Sequence, residues 1–179
     1  YGLSKLKGEA AVAEANARHL ILRTTWVYSP EGRNFATTMI KLARARAQID
    51  VVDDQTGSPT YARHLADAIL SIADQVVSGE TASAWGTYHA AGSGSASWRE
   101  LAEEIFDVSR RLGGAAASVR PITSADYPTV APRPQNSRLD CTKLRDTFGL
   151  QMPDWREGVD DCVQRLLAAT DEGPGDDGN

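Results

Sequence analysis

Tyr1 and Lys5 stand four residues apart at the head of a stretch, Tyr1 to Arg18, whose Ala, Leu, Lys and Glu content favours helix. On a helix that spacing puts both side chains on one face. A phenol, with an ordinary pKa near ~10, is a poor proton donor or acceptor at neutral pH. A cation held beside it favours the phenolate and turns it into a usable acid–base group. Tyr and Lys so placed suit the interconversion of a carbonyl and an alcohol. The same Tyr-x-x-x-Lys spacing also occurs on plain solvated helix faces, so the surroundings decide its meaning.

Two other patterns read as structure rather than chemistry. Gly92-Ser93-Gly94-Ser95-Ala96-Ser97 follows a strand-like run and opens a helix, as a dinucleotide loop would. The third glycine is absent, however, and Ser97-Trp98-Arg99-Glu100 has the form of a capping box, in which serine and glutamate satisfy free helix N–H groups. His19, His64 and His89 are isolated from paired Cys or regularly spaced acids, so no metal site is expected. Asp53-Asp54 reads as solvated charge.

The elements that position these residues alternate. After the first helix comes Leu20 to Tyr28, β-branched, aromatic and apolar, which predicts a strand covered on both faces. Helical spacing returns over Asn34 to Arg46, with Phe35, Met39, Ile40 and Leu42 as its apolar stripe. Ile49 to Val52 is a short strand and Asp53 to Pro59 a turn-rich loop. Leu65 to Val77 is a helix, 86–91 a strand, Trp98 to Leu112 a helix stopped by Gly113-Gly114, and Ser118 to Thr123 a strand. Tyr127 to Pro134, with its three prolines, is an extended loop. Cys141 to Phe148 and Trp155 to Ala169 are closing helices, and 170–179 is an acidic, Gly-rich tail expected to be disordered. Strands alternating with helices predict parallel pairing in a layered α/β fold.

The 179 residues suffice for one domain, or one and part of another. A 41% hydrophobic and 24% charged composition excludes wholesale disorder. The net charge of −5 argues against a nucleic-acid partner. No apolar run approaches the ~20 residues a membrane helix needs, and the N-terminus lacks a secretory layout. Cys141 and Cys162 are too few for a disulfide scaffold and read as reduced thiols of a cytoplasmic protein.

Taken with its context, the Tyr-Lys pair gains meaning. Tyr1-Gly2-Leu3-Ser4-Lys5-Leu6-Lys7-Gly8-Glu9 followed by Leu22-Arg23-Thr24-Thr25-Trp26-Val27-Tyr28 resembles the extended short-chain dehydrogenase/reductase family. Asn34-Phe35-Ala36-Thr37-Thr38-Met39, Asp54-Gln55-Thr56-Gly57-Ser58-Pro59-Thr60, Tyr88-His89-Ala90-Ala91-Gly92, Arg133-Pro134-Gln135-Asn136-Ser137-Arg138-Leu139 and Pro153-Asp154-Trp155-Arg156 narrow the resemblance to the dTDP-4-dehydrorhamnose reductases. It covers nearly the whole chain up to the acidic tail.

The resemblance implies a Rossmann-like α/β fold with a small substrate-binding region. It implies reduction of the 4-keto group of a dTDP-4-keto-6-deoxyhexose by NADPH or NADH. Tyr1 would donate the proton, and Lys5 would hold the cofactor's ribose hydroxyls and tune Tyr1, so both belong to the catalytic and the cofactor-binding sets. Trp26 would contact the deoxysugar, whose apolar face and methyl suit an indole face; the alternative is a core tryptophan in a buried strand. Arg133 is the expected partner of the substrate diphosphate, with Asn136 and Arg138 beside it. Asn34 and Gln55 are candidates for polar contacts to the substrate, against capping roles. Some relatives bridge a dimer through magnesium held by acidic residues, but Arg63 stands at one such position, which puts that arrangement in doubt.

The family's glycine-rich strand–loop–helix is not found in these residues. The expectation is therefore a C-terminal portion of a reductase: 1–30 a remnant of the nucleotide-binding domain, 31–169 the substrate-binding region interleaved with the last Rossmann elements, and 170–179 the tail. Alone it is expected to lack tight cofactor binding and turnover, and to self-associate as a homo-oligomer through an apolar strand edge or through the first helix. Two other readings share the scaffold. One is a non-catalytic subunit like the regulatory subunit of methionine adenosyltransferase, disfavoured by Tyr1, Lys5 and the Trp26 strand. The other is a sister epimerase or dehydratase, disfavoured by the Arg133 to Ser137 loop.

Overall fold

A computed structural model describes residues 1–81, 84–129, 131 and 133–171, with 170 and 171 described by backbone alone. In chain order the elements are α1 (Gly2–Ala15), β1 (Leu20–Arg23), β2 (Val27–Tyr28), α2 (Phe35–Ala43), β3 (Gln48–Val52), β4 (Thr56–Gly57), β5 (Thr60–Tyr61) and α3 (Ala62–Ser78). They continue with β6 (Gly86–His89), β7 (Ala96–Ser97), α4 (Trp98–Arg111), β8 (Ser118–Ile122), β9 (Asn136–Ser137), α5 (Thr142–Phe148) and α6 (Trp155–Asp171).

Pairing is parallel between β1 and β6, β2 and β5, and β3 and β8. A small mixed sheet runs β7-β4-β9, antiparallel on the β7 side and parallel on the β9 side. The α/β alternation and parallel pairing agree with the sequence pattern. The two-residue strands β4, β5, β7 and β9 carry no periodicity and were not anticipated.

The larger core lies under α2, α4 and α6. Helix α4 buries Leu101, Ala102, Ile105, Phe106, Val108 and Ser109, one stripe at helical spacing. Its start is the capping box: Ser97 Oγ accepts from Glu100 N at 3.1 Å, and Ser97 N donates to Glu100 Oε2 at 2.6 Å. Trp155, Val159 and Val163 of α6 pack into the same core with Tyr28 and Tyr61. Burial pushes the thiol of Cys162, also in this cluster, up to about 12, which keeps it uncharged and unreactive. A second cluster joins α3, β6 and α5 through Ile72, Tyr88, Leu144 and Phe148.

Three expectations are corrected. The strand expected over Leu20 to Tyr28 is two short strands, because the backbone turns at Trp26, whose φ of +49° is left-handed. β1 is only half-buried, not covered on both faces. Helix α6 continues through Asp171 rather than yielding to the tail at Thr170; residues 172–179, and Val130 and Pro132 of the proline-rich loop, lie outside the described residues. Helix α1 buries none of its residues. It is tied to the fold by Arg23, whose Nε donates to Glu9 Oε1 at 2.9 Å and whose Nη2 donates to Glu9 Oε2 at 2.5 Å.

Glu104 on α4 shows the balance of burial against pairing. Its carboxyl is pushed above the usual range by burial, which outweighs the Arg156 guanidinium 3.8 Å away. A raised folded pKa favours the protonated form, so the contribution to stability is complete below the ordinary glutamate pKa and is lost as pH rises through the folded value. Glu104→Gln is therefore expected to raise the melting temperature at neutral pH, with the gain vanishing below about pH 4. Melting curves at the two pH values check this; a destabilised variant at neutral pH would show that the exposed pair with Arg156 dominates.

Candidate active site

The mixed sheet gathers the site. β7 runs directly into Trp98, β4 carries Gly57 against Trp26, and β9 brings the arginine loop alongside. The Trp26 and Trp98 rings stack with centroids 3.6 Å apart and planes within 10°. Phe35, the first residue of α2, leans on Trp98 at 4.7 Å and 44°. Trp26 combines a left-handed backbone with almost eclipsed stacking, and both are less favoured than their alternatives. Such strain persists where neighbours over-determine it, most often at functional sites.

Gln55 is the strut beneath this stack. It is 7% exposed. Its Oε1 accepts from Trp98 Nε1 at 3.1 Å and its Nε2 donates to Ser124 Oγ at 2.8 Å. Ser124 is fixed in turn by Asp54, which accepts from its backbone N at 2.9 Å and its hydroxyl at 2.6 Å. Those hydrogen bonds hold the Asp54 carboxyl below its ordinary range. Gln55 is thus placed to orient the aromatic pair, and its amide is engaged within the protein.

Asn34 is similarly engaged. Its Oδ1 accepts from Ala36 N and Thr37 N, capping α2, while its Nδ2 donates to Ser29 O and Glu31 O. The capping geometry occupies both ends of the amide, which leaves the helix start, not a ligand, as its evident partner.

The arginine loop is pinned to β4. Thr56 N donates to Gln135 O at 2.8 Å, and Asn136 pairs with Thr56 in the ladder. Asn136 Oδ1 accepts from the backbone N and the Nε of Arg138, both at 3.1 Å. Arg133 and Arg138 are exposed, and neither pairs with a carboxylate among the described residues. Two guanidinium groups without a carboxylate partner among the described residues, on a loop beside the aromatic pair, are suited to a phosphorylated ligand.

Tyr1 caps α1 and is 95% exposed. Lys5 Nζ lies 5.4 Å from its ring centroid, so the spacing puts both groups on one face, as the sequence implied. Their link to the aromatic pair runs through the Glu9–Arg23 contact, since Arg23 stands three residues before Trp26. The Arg23 guanidinium holds the Glu9 carboxyl below its usual range.

Sequence reasoning passed over Trp98, which the capping box had accounted for, and Ser124. The signal was a second tryptophan directly after a helix cap. Arg63 lies 4.0 Å from Asp161, a cation paired on α6 rather than a metal ligand. Among the described residues no group of three or more His, Cys, Asp or Glu is gathered for a metal ion.

Residues 1–168 match the family described as RmlD substrate binding domain. The chain belongs to this family. As an RmlD substrate-binding domain it is 46% identical over 167 residues to the dTDP-4-dehydrorhamnose reductase of Sinorhizobium fredii, a match covering 93% of this chain and 56% of that protein. The structure of dTDP-4-dehydrorhamnose reductase from Bacillus anthracis, in complex with NADP, superposes with a TM-score of 0.82 at 36% identity, over 92% of this chain and 54% of that one. UDP-glucose-4-epimerase from Stenotrophomonas maltophila superposes at 0.75 with 14% identity, over 97% of this chain and 56% of that one, a likeness of fold alone. The RmlD chain spans about half the length of the curated relatives it matches.

Proposed function

We propose that the protein is a reductase that uses NADPH or NADH to convert dTDP-4-dehydro-L-rhamnose to dTDP-L-rhamnose, and that this chain supplies the proton donor and the sugar-nucleotide side of its site. The observation that carries the reading is the likeness to dTDP-4-dehydrorhamnose reductases in sequence as well as fold. An epimerase shares the fold only, which sets the epimerase and dehydratase readings behind it.

The residues fit a nicotinamide cofactor. Lys5 pairs with no carboxylate among the described residues and stands over the Tyr1 ring, so its ammonium is free to donate to ribose hydroxyls. NADPH or NADH, when bound, supplies the hydride. The Tyr1 hydroxyl gives its proton to the ketone oxygen, so that carbonyl, hydride and proton together yield the secondary alcohol. Lys5 stabilises the phenolate that remains, until solvent restores the proton. Arg133, with Arg138, neutralises the diphosphate, Asn136 orders that loop by holding Arg138, and Trp26 borders the deoxysugar. Two unpaired thiols, Cys141 and Cys162, suit a cytoplasmic setting, and no described helix is long and apolar enough to cross a membrane.

The test is to mix the full-length gene product with dTDP-4-dehydro-L-rhamnose and NADPH. The expected result is loss of the reduced nicotinamide absorbance with appearance of dTDP-L-rhamnose. Isomerisation of the sugar nucleotide without consumption of NADPH would place the protein among the epimerases instead.

A further inference from the structure

Both faces of the Trp26 indole are covered. Trp98 lies on one, 3.6 Å away and almost parallel. A Cβ built on Gly57 would stand 2.4 Å from Trp26 Cε2, 2.7 Å from Nε1 and 2.8 Å from Cδ2. Three such distances fit a point directly above Cε2, over the ring plane and not beside its rim. On the Trp98 side that point would meet Trp98 atoms sooner than those of Trp26, and the three nearest atoms all belong to Trp26. Gly57 therefore backs the opposite face, and only a glycine leaves room for it there.

What remains open is the edge. The Trp98 Nε1–H is spent on Gln55. The Trp26 Nε1–H donates to no group among the described residues, and it is not one of the buried unpartnered polar atoms, so it reaches solvent. An apolar rim ending in a free donor fits a ligand that is part hydrocarbon and part oxygen acceptor.

We infer that Trp26 meets its ligand edge-on, donating from Nε1 to a hydroxyl or carbonyl oxygen of the sugar, and that Trp98 and Gln55 are positioning residues that hold the ring in that attitude. The inference rests on the reductase reading for the identity of the ligand, though not for the geometry. It departs from the sequence expectation, in which the sugar would stack on the indole face.

The geometry is tested first without ligand, by exchange of the indole N–H protons with water in the ¹⁵N-labelled full-length protein. The Trp26 proton is expected to exchange freely and the Trp98 proton to be protected; the reverse order would overturn the inference. In Gln55→Met the Trp98 protection should disappear. The donor role is tested by calorimetry with dTDP-L-rhamnose and with dTDP. Trp26→Phe keeps an aromatic ring between Trp98 and Gly57 while removing the N–H together with part of the indole. It is expected to weaken dTDP-L-rhamnose by about tenfold, the worth of one hydrogen bond, with dTDP unchanged. Undiminished dTDP-L-rhamnose binding by Trp26→Phe would overturn the edge-on contact. Gln55→Met should weaken the sugar nucleotide selectively as well, whereas a parallel fall for both ligands would reduce Gln55 to a structural role. Absence of binding of either nucleotide to the unaltered protein would defeat the reductase reading, and the exchange measurement would still decide the geometry.

Discussion

Tyr1→Phe in the full-length protein is expected to lower kcat for ketosugar reduction by about 10²- to 10⁴-fold, the usual worth of a positioned proton donor. Affinity for the sugar nucleotide should change little, because the arginine loop and the aromatic pair stand on other elements. Stability should not change either. In this chain the Tyr1 side chain is 95% exposed and belongs to no core cluster, so removing one hydroxyl leaves no cavity and no orphaned partner among the described residues. That separation makes the experiment decisive. A variant with full turnover would show that the proton comes from elsewhere and would remove Tyr1, and the tuning role of Lys5, from the mechanism. A variant that melted early would mean that the hydroxyl has a partner in the full-length protein, and the kinetic loss could then not be assigned to proton transfer.

The second large effect is on stability. Gly158→Ala lies in the first turn of α6, where propensity alone favours alanine by up to about 1 kcal/mol. Packing reverses the sign. The added methyl would stand 2.5 Å from Tyr28 Oη and 2.6 Å from Tyr61 Cβ. Neither ring can yield cheaply, since each is 1% exposed. The Tyr28 hydroxyl donates to Trp155 O and that of Tyr61 to Asp161 Oδ2, both at 2.7 Å. Helix α6 must then back away from β2 and β5, loosening Trp155 and Val159. Overpacking of this kind costs about 1–3 kcal/mol, or about 2–4 °C of melting temperature per kcal/mol in a chain this size. A melting temperature at or above that of the unaltered protein would show that the backbone relaxes freely there.

Reading the sequence recovered much of what depends on periodicity or composition, though not the extent or burial of the strand run at Leu20 to Tyr28. The stripe Leu101, Ile105, Phe106 and Val108 marks α4, and Ser97 with Glu100 marks its start. The parallel pairing of β1, β3, β6 and β8 follows from alternating strand and helix signals. What escaped depends on contacts between distant segments. Two-residue ladders such as Thr56–Gly57 with Asn136–Ser137 have no period to detect. The break in the strand falls at Trp26, whose left-handed φ no local preference suggests and whose ring is packed between Trp98 and Gly57. Asn34 and Gln55 were legible as polar residues near the site. The capping of α2 by Asn34 was among the readings of the sequence; the partners of Gln55, Trp98 and Ser124, were not.

The β7-β4-β9 sheet has a kinetic consequence. Its three strands come from segments about forty residues apart and meet over only two residues each. Closing such loops spends chain entropy before many contacts repay it, whereas α4 forms around its own apolar stripe and the longer-range β3–β8 pair is repaid over five residues on each strand. The sheet behind the site is thus expected to form late on the folding route, and on heating to open ahead of the hydrophobic centre.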